Sequence, residues 1–101
     1  MSREIKTIDE FKEVIQETCL VDFYTDNCPN CKIMSPIIDS LESEIPIYKF
    51  KLDDKIATAI SDVCRVMAAP TMIIFKGGVE CFRTIGFTGK SELEDIISVY
   101  K

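Results

Sequence analysis

Residues 19–41 read CLVDFYTDNCPNCKIMSPIIDSL, and the change of period inside this stretch sets the architecture. From Cys19 to Tyr24 apolar and aromatic residues follow one another directly, the pattern of a strand covered on both faces, with Asp22 as its one interruption. Beyond the cysteines, Ile33, Met34, Ile37, Ile38 and Leu41 recur at three- and four-residue intervals, which predicts an amphipathic helix to about Glu44. Pro29 suits the first turn of that helix, where a missing N–H costs nothing. Pro36 lies in the same stripe and predicts a kink rather than an end, because the stripe resumes beyond it.

Working outward, Thr7 with Glu10 three residues later forms a capping-box signal ahead of Phe11, Val14 and Ile15, so a helix is expected from about Ile8 to Glu17. Glu4 to Lys6 reads as a brief edge strand before it. Downstream, a strand is expected at Ile47–Leu52, then a weaker helix through Ala57, Ile60 and Val63. The run MIIF at 72–75 is another strand, and Gly77-Gly78 signals a hairpin into Val79–Ile85. Leu93, Ile96, Ile97 and Tyr100 complete a last helix. The order is β-α-β-α-β-α-β-β-α, an α/β arrangement. Crossover helices demand parallel strands and the hairpin an antiparallel pair, so a mixed central sheet with helices on both faces is the economical solution. No linker or repeat breaks the chain, and one domain over residues 1–101 is expected.

Composition narrows the function. The 101 residues are 47% hydrophobic with four Gly and four Pro, which suits a packed core rather than a disordered chain. Twelve basic against 17 acidic residues give a net charge of −5, with no basic run, so neither a phosphate backbone nor an anionic membrane is an expected partner. The opening MSREIKTIDEF lacks the apolar segment of a signal peptide, and no stretch approaches a membrane span in length; a cytoplasmic protein is expected. Five cysteines, of which only Cys28 and Cys31 are close, do not make the even framework of a secreted mini-protein.

Cys28-Pro29-Asn30-Cys31 carries the chemistry. At the first turn of a helix, unpaired backbone N–H groups and the macrodipole favour an anion, so a thiolate on Cys28 is stabilised. A residue three positions on shares its face, which brings the Cys31 sulfur within disulfide reach. An exposed first sulfur and a shielded second one suit stepwise thiol–disulfide exchange, the first attacking and the second resolving the mixed intermediate. Two other readings compete. A zinc site needs a second close pair of ligands, and this chain has no His and scattered further cysteines. Two idle buried thiols conflict with the polar Thr25, Asp26 and Asn27 alongside.

The segments VDFYTDNCPNCKIMSP, KLDD, AAPTMIIFKGG and IGFTGKSELEDII stand in an order and spacing that resemble the thioredoxin family over essentially the whole chain. The resemblance implies the thioredoxin fold, a central mixed sheet flanked by four helices. It implies a disulfide reductase with no bound cofactor and no metal, using a redox-active Cys28–Cys31 pair on protein disulfides. A flavin-dependent thioredoxin reductase, NADPH- or ferredoxin-linked, would recharge it, and the protein would be a monomer. By position, Cys28 is similar to the attacking thiolate and Cys31 to the resolving thiol. Asp22 resembles the buried carboxylate beneath the disulfide, which burial would equip to take the Cys31 proton. Lys51 resembles the lysine paired with that carboxylate. Pro70 resembles the cis proline facing the disulfide, with Ala69 before it offering backbone to an extended substrate. Gly86 resembles the glycine lining the same groove.

Two departures touch the substrate surface. Asn27 stands where the family has Trp, so a large apolar contact is absent. Pro29-Asn30 replaces Gly-Pro and restores an N–H at Asn30; an added donor to Cys28 would stabilise its thiolate and make the pair more oxidising, towards an oxidase or isomerase. Of the remaining cysteines, Cys19 and Cys81 are expected to pack, while Cys64, ending the third helix, is expected at the surface and open to regulatory oxidation. A different class of function, a thioredoxin-fold binding or chaperone module with incidental thiols, competes with the enzyme. Cys28, Cys31, Asp22, Lys51 and Pro70 occurring together favour the enzyme.

Overall fold

The computed structural model describes residues 2–101. Its elements are β1 (Ser2–Ile5), α1 (Ile8–Val14), β2 (Cys19–Tyr24), α2 (Pro29–Ser40), β3 (Ile47–Lys51), α3 (Asp54–Ala59), β4 (Thr71–Lys76), β5 (Val79–Ile85) and α4 (Lys90–Tyr100). The sheet runs β1-β3-β2-β4-β5. β3 is parallel to both β1 and β2, as the crossover helices require, whereas β4 is antiparallel to β2 and to β5.

β2 lies at the centre and is covered on both sides, which is why its apolar residues are consecutive. Val21 and Phe23 face one cluster with Phe11, Phe50, Ile60 and Phe75, beneath α1 and α3. Leu20 faces the other with Met34, Ile38, Met72, Ile74, Leu93 and Ile97, beneath α2 and α4. By the same alternation Asp22 points to the α2 side.

The helix ends fall earlier than periodicity indicates. α1 is capped by the Thr7 hydroxyl, which accepts Glu10 N–H at 3.1 Å, and the Glu10 carboxylate reaches back to Lys6 N–H at 2.8 Å. It ends at Val14 rather than Glu17 because the Ile15 and Gln16 carbonyls turn to accept the N–H groups of Gly78 and Gly77 at 2.8 and 3.1 Å. These glycines form the β4–β5 turn, with φ of +81° and +59°, values that suit a two-residue loop of the hairpin type. α2 continues through Pro36 and ends at Ser40 rather than Glu44. Ile45 precedes Pro46, a position that disfavours helix, and the chain extends into β3.

Two cysteines exchange their expected places. Cys64 is buried against the α1/α3 cluster, and Cys81 is exposed. In the β4–β5 register Ile74 faces Phe82 and Phe75 faces Glu80, so Cys81 is the extra residue of a bulge on an edge strand and is turned out of the core. Cys19 is buried, as expected. Among the described residues, no helix is long and apolar enough to cross a membrane.

Candidate active site

Cys28 is the N-cap of α2 and Pro29 its first residue. This places the Cys28 sulfur where helix N–H groups lack partners, and Cys31 N–H donates to Cys28 Sγ at 3.1 Å. In this disulfide form, among the described residues, that is the hydrogen bond the sulfur receives, and Asn30 N–H makes none to it. Cys28 and Cys31 are joined as a disulfide with Cα atoms 5.1 Å apart. Cys31 is buried and Cys28 half-buried, flanked by exposed Asn27, Pro29 and Asn30.

The Ala69–Pro70 bond is cis. Ala69 O lies 3.4 Å from Cys28 Sγ, so the loop before β4 sits directly against that sulfur. Gly86, at φ +87°, donates its N–H to Pro70 O at 2.8 Å and so joins the end of β5 to the same loop. Met67 and Phe87, exposed apolar residues that the sequence reading passed over, flank this surface. Their signal was adjacency: each lies within three residues of Pro70 or Gly86.

Beneath the disulfide, Asp22 is 2% exposed and its Oδ1 has no hydrogen-bond partner among the described residues. Burial pushes its carboxyl up to about 7, with Lys49 drawing it back down and Glu4 and Asp39 pushing it further up. Asp22 and Cys31 line one cavity of about 300 Å³ together with Glu4, Tyr24, Ser35 and Lys49. The lysine beside Asp22 is therefore Lys49, not Lys51. In the β2–β3 register Asp22 faces Lys49 and Tyr24 faces Lys51, so Lys51 lies one pair further along and its ammonium engages Asp26 at the surface. Lys49 and Lys51 share a sheet face, and only the register tells them apart. No cluster of three or more His, Cys, Asp or Glu is gathered to hold a metal ion among the described residues.

A disulfide at a helix N-terminus, backed by a buried carboxyl and faced by a cis-proline loop, is the equipment of a thiol–disulfide oxidoreductase. The thioredoxin family model matches residues 3–99. The chain is 32% identical over 100 residues to a thioredoxin of Chlamydia muridarum, covering 97% of this chain and 98% of that one. It is also 32% identical over 107 residues to the chloroplastic M-type thioredoxin of Spinacia oleracea, covering 97% of this chain and 58% of the relative. Among solved structures, a mutant thioredoxin from Halobacterium salinarum superposes with a TM-score of 0.84 at 23% identity, over 98% of this chain and 89% of that one. The chain belongs to the thioredoxin family. It is a protein-disulfide reductase.

Proposed function

We propose that Cys28 is the attacking residue and Cys31 the resolving residue in the reduction of protein disulfides. In the dithiol form the Cys28 thiolate attacks one sulfur of a substrate disulfide; a Cys28–substrate bond forms and the other substrate sulfur leaves as a thiolate. Asp22 takes the proton from Cys31, and the Cys31 thiolate attacks Cys28 Sγ. The second substrate thiol departs, and the Cys28–Cys31 disulfide holds the two-electron oxidation. A flavin-dependent thioredoxin reductase returns two electrons from NADPH or ferredoxin. The substrate segment lies extended along Ala69 and Pro70, with Asn27, Pro29 and Gly86 at its borders. The observation that carries this reading is the hydrogen bond from Cys31 N–H to Cys28 Sγ, since the same donor stabilises the thiolate. A reducing compartment suits this chemistry, and the cytoplasm is the proposed location.

The test is insulin-disulfide reduction. Cys28→Ser abolishes turnover while leaving the circular dichroism unchanged, and Cys31→Ser traps a mixed disulfide through Cys28; turnover surviving Cys28→Ser would refute the assignment. With Cys19, Cys64 and Cys81 replaced by Ala, the reduction potential is expected near the reductant end of the scale, about −270 mV. A value near −120 mV would make the protein an oxidant instead.

A further inference from the structure

Cys31, Ser35 and Asp39 stand at i, i+4 and i+8 of α2 and so share one face of that helix. Below them Asp22 of β2 is the register partner of Lys49 of β3. Neighbouring strands run about 4.8 Å apart, so the long Lys49 side chain has the reach to put its ammonium on Asp22. It goes elsewhere. Lys49 Nζ donates to Ser35 Oγ at 2.7 Å and lies 2.9 Å from Asp39 Oδ1, while Asp22 Oδ1 is left without a partner among the described residues. Asp39 is in turn steadied by the Ser2 hydroxyl.

Two carboxylates thus compete for one ammonium. Asp39 has a side chain 55% exposed and stays ionised with little desolvation, whereas Asp22 is 2% exposed. We propose that Asp39 is a positioning residue: with Ser35 it anchors Lys49 to α2 and thereby keeps Asp22 free of an ionic partner and fit to take the Cys31 proton. This rests on the role of Asp22 given above. The chemical reason is that a carboxylate clamped by an ammonium is a poor base, and a proton acceptor works best when its affinity lies near the working pH.

The other groups around Asp22 do not replace this device. From β1, Glu4 faces Lys49 in the register, and its Oε2 accepts the hydroxyl of Tyr24 at 2.8 Å. From α2 come Cys31 and, at the cavity border, Lys32, with Asp26 and Lys51 paired beyond it. β4 presents Met72 to Asp22, and α4 adds apolar Leu93 and Ile97 on that side of the sheet. Lys49 is drawn to both carboxylates, and α2 decides between them.

The experiment follows the Asp22 carboxyl by carbon-13 NMR from pH 4 to 9 in the oxidised 101-residue chain. Asp39→Asn frees Lys49 and is expected to lower the Asp22 midpoint by about one pH unit or more, the effect of a cation moving into contact. Lys49→Met raises the midpoint, and Asp39→Glu keeps it near the parent value. In the double variant the midpoint follows Lys49→Met. Equal shifts from Asp39→Asn with and without Lys49 would overturn the proposal, because Asp39 would then act directly rather than through the lysine. The acidic limb of insulin reduction, measured on the same variants, separates the two layers. Midpoints that move while the limb stays refute the proton-acceptor role of Asp22 and leave the Asp39–Lys49 linkage standing; midpoints that stay refute the linkage.

Discussion

Replacing Asp22 with Asn removes a buried carboxyl whose Oδ1 lacks a hydrogen-bond partner among the described residues, and keeps its shape. Burial pushes the folded-state carboxyl up to about 7 from an ordinary value of 3.8. Between those limits the folded chain holds a proton that the unfolded chain has released, so stability falls as pH rises from about 4 to about 7 and is level above that. Each pH unit of separation is worth about 1.4 kcal/mol, and about three units give a loss of about 4 kcal/mol. Against a total of about 5–15 kcal/mol for a small domain, the effect is large. Urea denaturation of the oxidised parent and of Asp22→Asn, from pH 4 to 9, measures it. Taking the difference at pH 4 as zero, the variant gains stability over the parent through neutrality and levels off near 4 kcal/mol above pH 8. Titrations shared by both chains cancel in that difference. A difference that stays constant from pH 4 to 8 would show that Asp22 ionises as easily folded as unfolded, and the account of it as a late-titrating base would fall.

Phe11 touches Phe23, Phe50 and Phe75 with ring centroids 5.4–5.8 Å apart, so Phe11→Ala should cost about 3–5 kcal/mol in urea denaturation; a loss under about 1 kcal/mol would contradict the packing. Burial pushes the Cys19 thiol up to about 12 and the Cys64 thiol up to about 11, whereas Cys81 is exposed. Iodoacetamide at neutral pH is therefore expected to add once to the folded oxidised protein, at Cys81, and three times after denaturation without reductant, as read by mass spectrometry. Lys51→Ala, which breaks only the surface pair with Asp26, should leave the Asp22 titration and insulin reduction unchanged, and a shifted Asp22 midpoint would return Lys51 to the site.

Element order was legible because each signal is local: consecutive apolar residues in β2, a stripe at helical spacing in α2, and paired glycines at a turn that needs positive φ. Cys28 and Cys31 were legible for the same reason, since their places follow from the nearest element boundary, whereas Pro70 was legible through the family resemblance. Asp22 was legible through contrast, a carboxylate in a strand otherwise too apolar to face water. The helix ends were not. α1 stops where the Gly77-Gly78 turn, some sixty residues away, donates to the Ile15 and Gln16 carbonyls just beyond it.

By itself the sequence determined the order and type of the elements, which face of each is apolar, and that two sulfurs sit at the start of a helix. Those facts depend on neighbours a few positions apart. Which lysine stands beside Asp22, which carboxylate holds that lysine, and which of Cys64 and Cys81 meets solvent were decided by the tertiary structure alone. Lys49 and Lys51 are equivalent to any local pattern, and Cys81 looks like its strand neighbours until a bulge displaces it. Strand register and bulges arise from pairing between distant segments, and a step of one residue in either turns a side chain to the opposite face.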